Sequence, residues 1–321
     1  MAQDRDTCER HPELYMSDGT VILVAGSTLF RIHPDTSHLT KFPLAPTTAN
    51  LYDGCPVSIL DDNSEDLGYF LKATMGLCHF ESDQPMSYPM ASAILRLSSK
   101  YGVQCLRRKA MRHFQRIIPQ TYNDIGQKES FDEVFGPDKL EWPHPFQLIS
   151  LFRECRLRLF LPWTYYIACS LLGFENLVVQ YDNGNPNAKD TGIALLGWRS
   201  LCAITRNIRN AVIMFSAQDC RADSYCNDAM RLAWMRKAAD SVGCQAMAQW
   251  GLFTFLAGGT GGLKDEKDFI FNNGRPCLLC TKMWLKQEED ARAAIWSQLP
   301  RIFEFPDWKT LQLEQEELRS D

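Results

Sequence analysis

Two β-rich runs, Thr20-Val21-Ile22-Leu23-Val24-Ala25 and Thr28-Leu29-Phe30-Arg31-Ile32-His33, are separated only by Gly26-Ser27, and this constrains the fold more than any other feature. A two-residue connection leaves the second run no option but to lie antiparallel beside the first. Gly in the leading turn position tolerates the positive φ of a type II′ turn. Asp18-Gly19 is the turn that enters the hairpin, and Tyr52-Asp53-Gly54 is the turn before a third short strand, Pro56-Val57-Ser58-Ile59-Leu60. Ser64 is placed to cap a helix whose first turn holds Glu65 and Asp66, where carboxylates oppose the helix dipole. Its apolar face is Leu67, Phe70, Leu71 and Met75. A second stripe (Met90, Ile94, Leu97, Tyr101) stops at Gly102, and a third runs through Val103, Leu106, Ala110 and Phe114. These elements predict a small mixed sheet with helices, an α+β domain ending near Ile118.

The chain then changes character. From Pro119 to Pro145 it is polar and broken by Gly126, Gly136, Pro137 and Pro143, which predicts a linker. Beyond it the periodicity is helical: Leu148, Leu151, Phe152 and Cys155, then a buried helix from Pro162 to Leu172, then Leu201, Ile204, Ile208, Val212 and Phe215. The stretch Tyr181 to Asp190 (YDNGNPNAKD) predicts a loop. No strand-like alternation follows residue 145, so the second domain is expected to be all-α. The division expected is a tail over 1–12, the α+β domain over 13–118, a linker over 119–144, a helical domain over 145–310, and a frayed tail over 311–321. A length of 321 residues suits two domains.

Charge and cysteine usage narrow the setting. Lys and Arg total 34 against 39 Asp and Glu, a net charge of −5, which argues against a broad nucleic-acid-binding surface. The polar start, Met1 to Arg10, has no apolar core of a secretory signal, and no Asn-x-Ser/Thr sequon occurs. The most apolar stretch, Leu159 to Phe174, contains Pro162 and falls short of the ~20 residues needed to span a bilayer. Twelve scattered cysteines, in this company, point to a reducing intracellular setting, cytoplasmic and/or nuclear, with no membrane partner.

Few residues suggest chemistry. Cys220-x5-Cys226 and Cys277-x-x-Cys280 are the one set whose spacing could hold a structural zinc, since four thiolates suit its tetrahedral geometry. Buried inert thiols or a disulfide explain the same residues, because Cys is among the most buried side chains and Cys277 and Cys280 share a helix face. No other metal or cofactor is expected. Gly258-Gly259-Thr260-Gly261-Gly262-Leu263-Lys264 resembles a phosphate loop but lacks the Ser or Thr after Lys264, and reads as a flexible linker. There is no G-x-S-x-G and no H-E-x-x-H. His33, ending a strand, reads as structural. Basic residues cluster once, at Arg107-Arg108-Lys109 with Arg112 and Arg116. Arg108, Arg112 and Arg116 define one helix face, either solvated or turned to an acidic partner.

The stretches DGTVILVAGSTLFRIH (Asp18 to His33), DGCPVSILDDNSEDLGYFL (Asp53 to Leu71) and LRLSSKYGVQCLRRKAMRHF (Leu95 to Phe114) resemble the BTB/POZ proteins abundant in mushroom-forming fungi. Leu161-Pro162-Trp163 with Cys169, then Cys220 and Cys226, Cys277-x-x-Cys280 and Leu299-Pro300 to Trp308 continue the likeness. The resemblance implies a BTB fold used for homodimerisation, hetero-association or docking to cullin-type ubiquitin ligases, without catalysis. The segment Pro34 to Tyr52 is shorter and more proline-rich than the helical hairpin usual there. On this reading the chain is a protein-interaction module whose partners are itself or a cullin scaffold, with Leu14, Tyr15, Leu39 and Phe42 as the expected interaction surface. An enzyme or ligand-binding protein using an interdomain cleft is the alternative, and a transcription-associated regulator the third.

Overall fold

The computed structural model describes residues 8–33, 42, 51–78, 84–136, 143–182, 188–213, 226 and 278–320. The fold is mixed α+β, with one five-stranded sheet, and the chain divides into two units. Unit 1 is Met1–Ile117 with Glu129–Pro143, and unit 2 is Ile118–Lys128 with His144–Asp321.

In unit 1 the strands are β1 (Glu9–Tyr15), β2 (Val21–Ala25), β3 (Thr28–Ile32), β4 (Leu51–Tyr52) and β5 (Cys55–Leu60), ordered β1-β3-β2-β5-β4. The expected hairpin is β2–β3, antiparallel from Val21↔Ile32 to Ala25↔Thr28. Gly26 sits at φ 54, as the turn requires. The expected third strand is β5, parallel to β2. Strands β1 and β4 lie outside the runs whose pattern predicts strands. β1 starts at Glu9, inside the stretch expected as a tail, and pairs parallel with β3 at Glu9↔Thr28 and Arg10↔Leu29.

Although β1 and the β4–β5 turn lie at opposite ends of the strand order, their side chains meet. Asp53 Oδ2 accepts from Arg10 Nη2 (2.8 Å) and from Tyr15 Oη (2.7 Å). The sheet must therefore curl until its edges nearly close. That curl explains why all five residues of β2 are buried: Ile22 and Val24 join Leu29, Cys55 and Val57 on the enclosed face. The opposite face, with Leu23, Phe30 and Leu60 buried, receives α1 (Ser64–Thr74), whose Gly68 faces Phe30. The α1 cap is Asn63 rather than Ser64: Asn63 Oδ1 accepts from the N–H of Glu65 (2.8 Å) and of Asp66 (3.2 Å).

Helices α2 (Tyr88–Tyr101) and α3 (Gln104–Ile117) pack in sequence behind α1, divided by Gly102 at φ 72 as its spacing predicts. The linker expected over 119–144 is not one. A 3-10 turn at Tyr122–Asp124 belongs to unit 2, and α4 (Phe131–Phe135) returns to unit 1. Phe131 and Phe135 close an aromatic cluster with Tyr88 and Phe114, at centroid distances of 4.6 to 6.4 Å. Tilted and edge-on ring contacts of this kind each add about 0.5–1.5 kcal/mol beyond area burial, which anchors a five-residue helix too short to persist alone.

Unit 2 contains α5 (Pro145–Glu154), α6 (Leu161–Asp182), α7 (Ala188–Ile213), α8 (Leu278–Ile302) and α9 (Trp308–Ser320). Every described element is helical. Helix α6 is interrupted at Gly173 (φ 67, ψ 176), a conformation open essentially to glycine alone. Contacts climb in step along residues 161–174 and α7: Tyr165 with Asp190, Cys169 with Ala194, Phe174 with Trp198. The first part of α6 thus runs parallel to α7, and the chain must come back between Gly173 and Ala188 before α7 begins. Two sequence expectations fail here. Residues 188–190 open α7 rather than ending a loop, and the expected tail is α9, held by Leu311 (fully buried) and Gln315.

Candidate functional site

The residues expected to form an interaction surface are mostly spent inside unit 1. Leu14 is fully buried and Phe42 is 6% exposed, its ring 4.6 Å from that of Tyr101. Neither is available to a partner, because the curl of the sheet and the helix layer have already covered them. Tyr15 is half-buried in the Asp53 clasp, where burial, and then its hydrogen bond to Asp53, push its hydroxyl up to about 12. Leu39 lies outside the described residues.

Unit 1 has a shallow groove of about 320 Å³ beside α1 that gathers His11, Ser64, Glu65, Tyr69 and Lys72. Its polar groups satisfy one another. Tyr69 Oη donates to Glu65 Oε1 (3.2 Å), and Lys72 Nζ pairs with Glu13 Oε1 (2.7 Å). His11 is explained by the strand it sits on. Between Arg10 and Tyr15, β1 shifts register against β3, which takes the N–H groups of Glu13 and Leu14 off the ladder. His11 Nδ1 accepts both, at 3.2 and 3.1 Å.

That arrangement requires the neutral imidazole. Burial, and then the charge of Lys72, hold His11 below its ordinary 6.5. The unfolded chain therefore binds the proton more readily, and this contribution is present above pH ~6.5 and lost as pH falls through the folded value. His11→Ala is expected to cost about 1 kcal/mol at pH 7.5 by stranding the two N–H groups, and to shrink the fall in melting temperature between pH 7.5 and 5. A pH profile parallel to that of the parent in thermal melts would remove this role.

Unit 2 centres on a buried polar network. Tyr165, fully buried, donates to Asp190 Oδ1 (2.6 Å) and accepts from Arg153 Nη2 (2.8 Å), while Arg153 Nε lies 2.7 Å from the same carboxylate oxygen. Burial is the main reason the Tyr165 hydroxyl is pushed upward, with Asp190 adding to it. The Tyr165 ring stacks on Phe303 (5.4 Å), so the network joins α5, α6 and α7 to the turn after α8. A groove of about 410 Å³ runs between Arg153, Arg158 and α9, crossed by an Arg158–Glu314 ion pair at 2.8 Å. Arg156 holds φ 58 where α5 ends, with Leu157 N–H bonded to Phe152 C=O (2.7 Å) and Arg156 N–H to Arg153 C=O (3.1 Å). This is a Schellman end at which glycine is usual. Trp296 and Trp308 stack at 4.4 Å, and Trp308 Nε1 donates to Trp296 C=O (2.7 Å).

Of the candidate zinc ligands, Cys226 and Cys280 are buried, whereas Cys220 and Cys277 lie outside the described residues, as does the glycine-rich stretch 258–264. Among the described residues no group of three or more His, Cys, Asp and Glu is placed to hold a metal ion, and no helix is long and apolar enough to cross a membrane. His33 pairs with Asp18 at 3.2 Å. Two surface features remain. Leu171 (64% exposed) and Phe174 (48%) flank the Gly173 reversal, with Phe174 leaning on Trp198. Arg108 and Arg112 are exposed on α3, while Arg116 of the same expected face pairs with Glu129 at 2.5 Å. Comparison with protein-family models, with curated proteins and with solved structures returned no match.

Proposed function

We propose that this chain is a protein-association module of BTB/POZ type, binding a second copy of itself or a cullin-type scaffold in a reducing intracellular compartment, cytoplasmic and/or nuclear. The observation that carries the reading is the order and pairing in unit 1: an antiparallel hairpin, a third strand parallel to its first, then three helices in succession. A small mixed sheet followed by clustered helices supports the reading, because the sequence resemblance implies an arrangement of that kind. The exposure of Leu171 and Phe174 on either side of Gly173 is in keeping with association as the mode of action, because exposed apolar side chains can be buried by a partner. Described thiols such as Cys8, Cys78 and Cys105 are free, which suits a reducing compartment.

Light scattering on the full chain at tens of micromolar is expected to give about twice 36.7 kDa. Immobilised chain is expected to retain a cullin scaffold if the adaptor role holds. A monomer that retains no cullin overturns the reading.

A further inference from the structure

We infer that the outer face of α3 docks an acidic protein segment. The case begins with how unit 1 disposes of its positive charge. Arg10, Lys72, Arg96, Lys100 and Arg116 are each held by a carboxylate, on Asp53, Glu13, Asp66, Asp62 and Glu129, at 2.5 to 2.8 Å. Arg107, from the same basic run, turns inward and donates to Ser99 Oγ (3.1 Å). Arg108 and Arg112 are treated differently. Both are exposed, neither forms an ion pair with any described residue, and they stand one helical turn apart, where like charges repel. Among the described residues of unit 1, Arg108 and Arg112 are the exposed arginines that no carboxylate meets, so their counter-charge can be supplied from outside.

Helix geometry defines what fits. Arg108 and Arg112 are separated by about 6 Å along the axis, so carboxylates at i and i+4 of an acidic helix meet them in register. Guanidinium and carboxylate can then pair bidentately. Two guanidiniums on a chain of net charge −5 are too few to track a phosphate backbone, which favours protein over nucleic acid. Cys105, three residues before Arg108, is exposed on the same stripe and reports on its occupation. The inference rests on the protein-association reading and names the chemistry of one partner.

The test uses the full chain with three probes: a fluorescent helical peptide with glutamate pairs at i and i+4, the same peptide with glutamine instead, and a 20-nucleotide single-stranded DNA. The acidic peptide is expected to bind, to slow maleimide labelling of Cys105 several-fold by mass mapping, and to weaken roughly tenfold between 50 and 300 mM salt. Arg108→Glu with Arg112→Glu is expected to abolish binding with melting temperature unchanged, and Arg108→Lys with Arg112→Lys to retain most of it. Equal binding of the glutamine peptide, undiminished binding by the charge-reversed chain, or protection of Cys105 by DNA alone would overturn the inference. Cys105 protection is read on unmutated chain, so it stands even where a variant misfolds. Light scattering of the charge-reversed chain separates the two readings: an unchanged mass leaves the association reading intact, whereas a fall to monomer assigns the face to a second copy and overturns the acidic-segment inference.

Discussion

Gly197→Ala is expected to destabilise unit 2 by about 3 kcal/mol, lowering its melting temperature by about 10 °C. A methyl group at this position in α7 would stand 2.1 Å from Phe303 Cε1 and 2.5 Å from Cδ1. The ring cannot retreat, because Phe303 is fully buried and stacked on Tyr165. Overpacking of an interior this tight is relieved only by moving α7 or the turn after α8. Phe303→Leu in the Gly197→Ala background is therefore expected to recover much of the loss, although Phe303→Leu alone destabilises. That opposite-signed coupling, measured by urea denaturation of the four chains, is the signature of direct contact. Simple additivity would mean that α7 is not seated on Phe303.

Asp190→Ala is expected to cost about 2–3 kcal/mol for a different reason. Nothing is overfilled; the change strands the Tyr165 hydroxyl and the Arg153 guanidinium that share this carboxylate. The Arg153 side chain keeps 35% of its exposure, so solvent recovers part of the loss and the cost stays below that of a fully buried pair. Asp190→Asn, which keeps one acceptor, is expected to cost about half as much. Replacing Arg153 and Asp190 together with apolar residues of similar volume should restore most of the stability, since both desolvation penalties disappear at once. A double replacement no better than Asp190→Ala would show that the network contributes attraction rather than merely avoiding a penalty.

The same two residues mark where sequence reading stopped. Asp190 closes a ten-residue stretch rich in Asn and Asp, and local propensity makes it a loop residue; it is instead buried, at 7% exposure, where Tyr165 and Arg153 reach its carboxylate from other helices. Gly197 looks like a helix-weakening glycine until Phe303, 106 positions later, is found against its Cα. Leu14 and Phe42 are expected at an interaction surface on the protein-association reading, yet both are buried. The pairing partners that bury them are strands and helices distant in the chain.

Other features were legible because they are local. Gly26-Ser27 fixed the hairpin, Asp53-Gly54 the turn before β5 with φ 46 and 75, and Gly102 the boundary between α2 and α3, since a positive φ is written in the residue that tolerates it. Apolar spacing located α1, α2 and α3 for the same reason: helical period is a property of consecutive residues. The mixed α+β class was thus legible in the sequence alone. Only the tertiary structure decided the curl that joins Arg10 and Tyr15 to Asp53, the return of α4 to the Tyr88 and Phe114 cluster, and which arginines of the basic run on α3 meet a partner among the described residues. Each of these depends on which distant side chain arrives, and an interaction between residues tens of positions apart leaves no periodic trace in either segment.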